Sequence, residues 1–547
     1  MRNKNLIIFC FITLISIFPL LDLAHPGLPI THDGQDHVAR IANFYANLEE
    51  GNIVPRWASN LNWGYGHPIL MFLYPLPSYV ASIFHFFGFS LVDSVKIVFA
   101  AGFFLSGIVM YVWTSIFLDK RSAFFASLLY LFAPYRFVDL YVRGAIGEHI
   151  AFIFPPLVFW AILKLNRTAE KKYLTYGTLA LSGLILSHNA ITIMFLPLFF
   201  LYFVFIFYFG KRRKLFLFQF ISLIILGFGL ASFFVLPAFF EGKYTLRDIV
   251  TAKTSLSFSS VGQFLFGEWN YGGTGAFTVQ IGLIQLFFIV LSLFFLVFAF
   301  RKNKQTKILL ACLELLFLLT LFLMTSQSNV IWEKVTLLQK FQFPWRFLSL
   351  AVFISAAIGG ITFSAIKEKY KNIFLLLIVS VLLFVNKDYW RAKGYLIKPE
   401  IFYTGIYNST TDTGESAPIW SVRFMEKRPK SRLETIEGEG NVLEVNRFST
   451  KHVYQITSKE GLRIRENTLY FPGWEVFVDG KKVPIEFQDP ANRGLITFFL
   501  EEGIHTVKIK FTETKLRILA DSISIVGLVF VTILGILKKR LLWPHFR

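Results

Sequence analysis

The sequence predicts a polytopic α-helical membrane protein with a small β-rich domain before its last helix. Of its 547 residues, 54% are hydrophobic and only 16% are charged, whereas soluble proteins have roughly 45–50% apolar and 25% charged residues. Long apolar segments recur along most of the chain and alternate with short basic clusters. Between residues 386 and 515 the apolar runs shorten and polar residues alternate with apolar ones. Together these observations exclude an ordinary soluble protein.

The apolar segments give about 12–13 candidate transmembrane helices, each judged against the ~20 residues that a helix needs to cross the hydrocarbon core. They occupy residues 6–23, 69–88, 94–117, 121–133, 150–164, 173–187, 189–209, 215–239, 277–300, 308–325, 347–366, 371–385 and 516–537. The first segment follows Arg2 and Lys4 and resembles a signal peptide. Because no small-residue cleavage site precedes the charged residues after it, we interpret it as a retained helix.

The net charge of +20 is concentrated in short clusters between these segments, which indicates membrane orientation rather than nucleic-acid binding. The clusters are Lys211–Lys214, Arg301–Lys304, Lys367–Lys369 and Lys538–Arg540. From Lys211 onward they alternate cleanly and predict a cytoplasmic basic tail, and Arg2 and Lys4 predict a cytoplasmic N-terminus. Between residues 69 and 164 the count does not close, so one segment there, or the pair flanking His188, must be re-entrant or interfacial.

Three regions follow from this pattern. Residues 1–385 form a multi-span region whose first outer loop is 24–68, residues 386–515 form an extracytoplasmic β-rich, sandwich-like domain, and residues 516–547 form the final helix and its basic tail. In the second region, residues 475–485 predict two strands around an Asp-Gly turn. This region has no nucleophile paired with a base and no metal-ligand spacing, so we interpret it as a binding or structural module. Cys10 and Cys312 both lie in apolar segments and offer no disulfide framework.

The first outer loop carries a concentration of ionisable side chains next to the membrane. Asp33, Asp36, His37 and Arg40 are spaced so that they share one face of a helix. Because charge beside lipid is costly, such a cluster is by default a functional-site hypothesis. A solvated loop that caps the following helix explains the same spacing. Residues 36–48 have the apolar period of an amphipathic helix on the membrane surface.

A second concentration of charge lies in the loop of residues 134–149. Arg143 and His149 have the chemistry to bind a phosphate, and Glu148 could orient either of them. An Arg143–Glu148 ion pair that only pins the loop explains the same residues. The sequence leaves both readings open.

Two further polar positions border apolar segments. His188 lies inside an apolar stretch, where it fits either a hydrogen bond between helices or a ligand contact. Arg346 follows Trp345 at the start of a segment that begins outside, where both residues suit either an interface anchor or a substrate contact.

Several motifs, taken in order, carry a resemblance to a known family. They are Asp33-Gly34 with His37 and Arg40, Pro55-Arg56-Trp57, Tyr74-Pro75-Leu76-Pro77, Arg143-Gly144-Ala145 with Glu148, Leu186-Ser187-His188-Asn189, Gln342-Phe343-Pro344-Trp345-Arg346, and Tyr470-Phe471-Pro472-Gly473-Trp474 with Val478-Asp479-Gly480. Together they resemble the bacterial 6-pyruvoyl-tetrahydropterin-synthase-related membrane proteins, within the wider class of GT-C membrane glycosyltransferases. The matches are spread over nearly the whole chain.

The resemblance implies a GT-C-like fold in the bacterial plasma membrane that transfers a sugar from a polyprenyl-phosphate donor to a cell-envelope glycan, lipid or protein. An acidic residue of the first outer loop is then the general base; by motif position it is Asp33, with Asp36 as the fallback and His37 tuning the proton. The candidates for the donor phosphate are Arg40, Arg56, Arg143, His149 and Arg346. The supporting residues are Glu148, His188, Trp57 and Tyr74.

The resemblance assigns no metal ligand. Some members of the wider class use a divalent metal, but this chain lacks an Asp-Asp or Glu-rich motif in a later outer loop. It also lacks the histidine triplet of a zinc-dependent pterin synthase, so the family label does not describe its chemistry.

A transporter or scaffold for envelope glycans or lipids, in which the same charges line a pathway, is the rival reading. A catalytically inactive relative on the same fold is a third. The sequence contains no internal repeat, which a transporter often has. A cavity closed at its floor would favour the transferase, and a path open to both sides would favour the transporter.

Overall fold

The computed structural model of the chain describes residues 2–252, 257–272, 277–298 and 304–536. In these ranges it contains eight helices long and apolar enough to cross a membrane, and a ninth if Lys120–Leu131 and Pro134–Arg143, bent by 49°, form one span. The eight are Leu6–Ala24, Leu91–Thr114, Ile146–Thr168, Asn189–Phe209, Arg213–Leu230, Lys304–Leu323, Pro344–Ser364 and Lys515–Ile536. The predicted polytopic class, with strands before the last helix, is confirmed.

Three further helices join the same bundle: Lys171–Ser187, Leu283–Phe298 and Glu368–Asn386. Shorter helices outside it are Gly34–Glu49, Leu76–Phe86, Ser232–Phe240, Arg247–Ala252, Val261–Leu265, Asn329–Lys334, Thr336–Gln339 and Ile401–Thr404. The bundle core is aromatic. Phe353, for example, stacks on Trp113 and Phe159 at 5.0 and 4.8 Å between ring centres.

The predicted span over residues 69–88 is wrong. Its first part is a 3₁₀ turn, and only the eleven residues Leu76–Phe86 are α-helical. Eleven residues rise ~16 Å, about half of the hydrocarbon thickness. Hydropathy failed here because it measures apolar content and cannot see where Pro68 and Pro75 interrupt the helix.

Without that span, the basic loops of the described chain fall at one end of the bundle, here called the basic end. Arg121 pairs with Glu368 at 2.8 Å, and Arg167 donates to the Ile116 carbonyl at 3.2 Å. A cavity of about 370 Å³ at the same end is lined by Arg167, Gln305 and residues of neighbouring helices. The number of membrane crossings, which was inconsistent with the basic clusters in the sequence analysis, is therefore consistent with them in the structure. The Arg301–Asn303 part of one cluster and the Lys538–Arg540 cluster lie outside the described residues.

The first outer loop lies at the opposite end, here called the site end, and its helix Gly34–Glu49 is not on a membrane surface. Val38, Ile41 and Phe44 are buried against the helix Leu91–Thr114 and against Tyr403. Leu28–Pro29 also pairs antiparallel with Tyr395–Leu396. The prediction of a membrane-surface helix was wrong because residues far along the chain cover the apolar face instead of lipid.

Strands occupy the chain from Leu433 to Phe511 and form two antiparallel sheets. The larger sheet has the order Gly440–Arg447, Lys451–Ser458, Gly503–Phe511, Trp474–Val478, Lys481–Val483, and the smaller one Leu433–Glu437, Leu462–Leu469, Leu495–Leu500. Side chains of both sheets share one core, as in a sandwich. The predicted hairpin forms, and its turn residues Asp479 and Gly480 have φ of 49° and 82°. Residues 387–432, which precede the strands, contact the first outer loop instead.

The last helix is joined to the first outer loop by an ion-pair cluster. Arg56 is buried and donates to Glu513 at 2.8 Å, to Asp521 at 2.7 Å and to the Phe233 carbonyl at 3.2 Å. Nearby, Trp57 is 1% exposed and packs edge-on against Trp474 with ring centres 5.4 Å apart. Both residues connect the β-rich region to the bundle.

A buried carboxylate in the β-rich region makes its stability depend on pH. Glu466 is fully buried and lies 2.8 Å from His452 and 2.9 Å from Arg447. Burial opposes ionisation, but these two partners together lower the pKa of Glu466 to about 2. At pH values above the ordinary glutamate pKa, ionised Glu466 with its two partners thus stabilises the folded state by about 3 kcal/mol. This stabilisation is lost as the pH falls toward 2.

We therefore expect Glu466→Gln to lower the thermal unfolding temperature at pH 7 and to have about half that effect at pH 3, where a folded-state pKa of about 2 still leaves most of Glu466 ionised. Unfolding of the purified protein, followed by tryptophan fluorescence at both pH values, measures this. Glu439→Gln is a matched control, because Glu439 is exposed and its one ion pair within the described residues is with exposed Lys459 at 3.3 Å. An equal destabilisation by Glu466→Gln at both pH values would contradict the assignment.

Candidate functional site

The site is built around a buried carboxylate at the site end of the bundle. Glu148 has no exposed surface and accepts three hydrogen bonds, from the Tyr135 hydroxyl at 2.7 Å, from Ser349 Oγ at 2.5 Å and from Arg143 Nη1 at 2.7 Å. These partners come from three separate elements. A buried charge requires such compensation, so Glu148 fixes the relative positions of the elements that surround it.

Arg143 connects this carboxylate to a second one. Its Nη1 also lies 2.5 Å from Asp139, one helical turn earlier, and the guanidinium lies over the Trp345 ring at 4.7 Å. All its ion pairs in the described chain use Nη1. Its Nε and Nη2 make no hydrogen bond in the described chain. Neither atom is fully enclosed by protein. These two donors are therefore free to bind a ligand.

The first outer loop is attached directly to this cluster through backbone hydrogen bonds. His32 N–H donates to the Val142 carbonyl and Asp33 N–H to the Arg143 carbonyl, both at 2.9 Å. Gly144 follows with φ of 66°, and a Cβ there would overlap the Thr31 hydroxyl. The two charged stretches that the sequence singled out separately therefore form one site.

The loop carboxylates differ in environment. Asp33 precedes the helix Gly34–Glu49, is exposed, and its side chain makes no hydrogen bond within the described chain. Asp36 is partly buried and accepts a hydrogen bond from the Tyr407 hydroxyl at 2.8 Å. Burial raises the pKa of Asp36, while the Tyr407 hydrogen bond and the charge of Arg40 oppose this rise.

His37 is buried, and Arg40 Nη1 lies 3.0 Å from its Nδ1. Burial, together with the charges of Arg40 and Arg143, holds the pKa of His37 well below its ordinary value. His37 is therefore neutral at neutral pH, and its Nδ1 lone pair accepts the Arg40 hydrogen bond. This arrangement does not leave His37 free to share a proton with Asp33.

Tyr74 lies beside this cluster, against His188 and Gly147. Burial raises the pKa of its hydroxyl, and the charges of Arg40, Asp33, Arg143 and Arg346 also act on it. Its ring stacks on His188 with ring centres 5.1 Å apart. A Cβ at Gly147 would overlap the Tyr74 ring, so that glycine permits the close approach.

His188 and Arg346 complete this surface. His188 Nδ1 accepts a hydrogen bond from Ile191 N–H at 3.3 Å, so the neutral ring carries its proton on Nε2 and can donate. Arg346 Nη2 donates to Gln342 at 3.3 Å, and no carboxylate of the described chain pairs with it. Its buried Nε has no hydrogen-bond partner there, which makes Arg346 the least compensated cation of the site.

Four of the predicted residues offer no free group at this surface. Arg40 donates to Thr411 and His37, Arg56 is used by Glu513 and Asp521, and Trp57 packs in the β-rich core. The fourth, His149, is fully buried with its ring 5.4 Å from Phe99 and 6.2 Å from Phe103, inside the bundle. A phosphate role for Arg40, Arg56 and His149 therefore lacks geometric support.

Sequence reasoning missed Asp139, Tyr135, Ser349 and Tyr407. The spacing of Asp139 and Arg143, four residues apart, signals a helical ion pair and would have found the first. Tyr407 lies 371 residues after its partner Asp36, and nothing local indicates that contact. No group of three or more His, Cys, Asp or Glu side chains suited to a metal ion occurs among the described residues.

Gly144→Ala is expected to destabilise the attachment of the first outer loop. The new Cβ would overlap Thr31 and would also occupy a left-handed conformation, so we expect a loss of about 2–4 kcal/mol and a lower thermal unfolding temperature. Gly51→Ala is the control, because Gly51 has φ of 85° but nothing lies within 4 Å of the position that a Cβ would take there. If both variants lose the same stability, overlap with Thr31 is irrelevant.

A family model described as 6-pyruvoyl-tetrahydropterin synthase related domain, membrane protein, matches residues 70–392. An uncharacterized protein of Lactococcus lactis subsp. cremoris (strain MG1363) is 27% identical over 332 residues, which are 57% of this chain and 52% of that protein. The chain thus spans about half the length of this curated relative.

Two solved structures are similar to part of the fold. The arabinofuranosyltransferase AftD from mycobacteria has a TM-score of 0.45 at 12% identity, over 72% of this chain and 28% of that chain. ArnT from Cupriavidus metallidurans, bound to undecaprenyl phosphate, has a TM-score of 0.40 at 14% identity, over 74% of this chain and 68% of that chain.

Proposed function

The chain belongs to the 6-pyruvoyl-tetrahydropterin synthase related family of membrane proteins, and on this premise we propose that it is a GT-C-like membrane glycosyltransferase. It transfers a sugar from a polyprenyl-phosphate donor to a cell-envelope acceptor at the site end, with Asp33 as the general base. The observation that carries the proposal is the attachment of the Asp33 loop to Arg143 by backbone hydrogen bonds, beside Tyr74, His188 and Arg346.

The reaction is a single displacement. Asp33 takes the proton of an acceptor hydroxyl, the acceptor oxygen forms a bond to the anomeric carbon, and the bond from that carbon to the phosphate oxygen breaks. The electron pair leaves with the polyprenyl phosphate. Asp33 suits the role of base because no partner within the described chain occupies its carboxylate, whereas Asp36 is held by Tyr407. One carboxylate without a second nucleophilic one favours inversion at the anomeric carbon.

The departing phosphate needs cationic donors in a place with little water. Arg346 and the free Nε and Nη2 of Arg143 supply guanidinium donors, and His188 Nε2 supplies a neutral one. The unpaired Arg346 supports an anionic ligand on this side, because no carboxylate of the described chain pairs with it, whereas Arg143 is already compensated by Glu148 and Asp139.

The packing below the site supports a transferase over a transporter. Tyr130 donates to the Phe152 carbonyl at 2.8 Å directly beneath the Glu148 region, and its ring contacts Phe353. Phe353 in turn stacks on Trp113 and Phe159, and all of these residues are buried. The charged surface therefore lies over a floor of buried aromatic rings, and the buried Arg136 in that floor lies over the Phe152 ring at 4.1 Å and donates to Ser106 at 3.0 Å.

The basic end suits the cytoplasm by the positive-inside rule. This orientation corresponds to a site end and a β-rich region outside the plasma membrane.

Incubating the purified protein, in lipid nanodiscs, with a panel of radiolabelled polyprenyl-phosphate sugars tests the function. When an envelope fraction is present, we expect transfer of the sugar to it and release of polyprenyl phosphate. When no envelope fraction is added, we expect slow hydrolysis of the donor. Failure to consume any donor, by a protein that binds none of them, would contradict the proposal.

A further inference from the structure

A cavity of about 490 Å³ opens beside the proposed site, and the mechanism above does not use it. It is called the outer pocket here, and its lining comes from Gln35, the segment 401–402 and 405–409, and Arg428. Its volume is within the ~300–1,000 Å³ typical of small-molecule sites. It adjoins the first outer loop through Gln35, which lies two residues after Asp33.

The outer pocket is a built structure rather than a gap between loops. Tyr407 N–H donates to the Asn60 carbonyl at 2.8 Å, and Trp63 N–H donates back to the Tyr407 carbonyl at 2.9 Å. Asn62 N–H donates to the Ser409 carbonyl at 2.8 Å. The pocket wall is therefore fixed to the first outer loop on both sides of Tyr407, in a stretch of chain far from it in sequence.

A hydrogen-bond chain connects the wall of the pocket to the acidic face of the loop. Gln35 Nε2 donates to the Tyr407 hydroxyl at 2.7 Å, and that hydroxyl donates to Asp36 at 2.8 Å. A ligand in the pocket thus lies next to the helix turn that presents Asp33.

The lining has the chemistry that recognises carbohydrate. Phe402 supplies an aromatic ring, and the Gln35 and Asn408 amides and the Ser409 hydroxyl supply hydrogen-bonding groups. The Asn408 amide is exposed and makes no side-chain hydrogen bond within the described chain. Flat apolar rings together with amides and hydroxyls match the alternating apolar faces and hydroxyl rims of a sugar ring.

The charge at the pocket has one sign. Arg428 lines it and is exposed, and Lys398 lies over the Phe402 ring at 5.3 Å. None of the nine lining residues is acidic. Arg428 Nη2 donates to the Ile406 carbonyl at 3.3 Å, which anchors the guanidinium at the pocket wall. An anionic group on the ligand would be attracted here, and the remaining donors of Arg428 could bind a carboxylate or phosphate.

We propose that the outer pocket is the acceptor subsite and that it takes an anionic glycan, one that carries carboxylate or phosphate groups beside its hydroxyls. The assignment of the ligand as the acceptor rests on the proposed function, but binding of an anionic glycan in the outer pocket does not depend on catalysis. The acceptor lies over Phe402, its negative group pairs with Arg428, and its reactive hydroxyl extends past Gln35 toward Asp33.

Binding is tested without any donor, by saturation-transfer NMR on the full chain in nanodiscs with glucuronate as the probe and glucose as the neutral comparison. All variants carry Arg346→Gln, which removes the cation that could otherwise bind the glucuronate carboxylate at the proposed donor site. We expect saturation of the glucuronate ring protons, weaker saturation of glucose, and at least a fivefold loss of the glucuronate signal in Arg428→Gln and in Asn408→Ala. Lys430→Gln, an exposed cation that does not line the pocket, is the matched control and keeps the signal.

Absence of a glucuronate signal, or an equal signal in all variants, overturns the proposal, and equal saturation by glucose overturns its anionic part. A second measurement separates it from the proposed function. In the donor assay, Arg428→Gln is expected to lower transfer to the envelope acceptor at least tenfold through KM while donor hydrolysis by water continues. Donor hydrolysis missing in the unaltered protein would count against the proposed function, and the NMR result would still decide the pocket.

Discussion

Asp33→Asn is expected to lower sugar transfer by about 10²–10⁴-fold, the usual contribution of a general base. The amide cannot take the acceptor proton, but it leaves the local structure intact. Asn is as good as Asp at the position that precedes a helix, and the Asp33 backbone, which donates to Arg143, is unchanged. The measurement is the rate of transfer from the active polyprenyl-phosphate sugar, with unfolding temperature and donor binding recorded on the same preparation.

Asp36→Asn is the matched control for that experiment. Its amide oxygen still accepts the Tyr407 hydrogen bond, so we expect wild-type folding and a loss of less than tenfold. A fully active Asp33→Asn variant would remove Asp33 from the mechanism. An inactive Asp36→Asn variant beside an active Asp33→Asn variant would move the base to Asp36, which the sequence named as the fallback.

Arg143→Gln is expected to have the largest effect on stability. Arg143 compensates both Glu148 and Asp139, and neither carboxylate has any exposed surface. Removal of one partner of a buried ion pair typically costs ~3–5 kcal/mol, because a buried charge is left alone. We expect a correspondingly lower unfolding temperature in detergent and a poor yield of folded protein.

Two comparisons make this prediction specific. Arg143→Gln combined with Glu148→Gln should recover part of the stability, because one of the two uncompensated charges is then gone. Arg346→Gln should leave stability within about 1 kcal/mol, since no described carboxylate depends on it, while it weakens donor binding. A destabilisation by Arg346→Gln as large as that by Arg143→Gln would show that the two cations do not differ in role as we describe.

Some of the site was predictable because its members are locally conspicuous. Asp33, Arg143, Glu148, His188 and Arg346 are charged or polar residues beside apolar segments, where water is scarce and such residues are rare. Their types and positions do not depend on knowing the fold. The sequence therefore identified the members that converge near Tyr74, though in separate motifs.

The site assignments that lack geometric support have a common cause. Arg40, Arg56 and Trp57 appear beside the charged loop in sequence, but their partners Thr411, Glu513 and Trp474 lie hundreds of residues away. A cation looks available for a ligand until its carboxylate is known. The same holds for Asp36, whose partner Tyr407 no local pattern reveals.

By itself, the sequence determined that this chain is a multi-span membrane protein and where most of its helices and its strand hairpin run, because hydropathy and turn residues act over short stretches of chain. Only the tertiary structure decided that the segment 69–88 does not cross, that the loop helix is covered by protein instead of lipid, and which arginines are already paired. Those outcomes depend on contacts between residues distant in sequence, and the free energy of a buried charge is set by its neighbours in space.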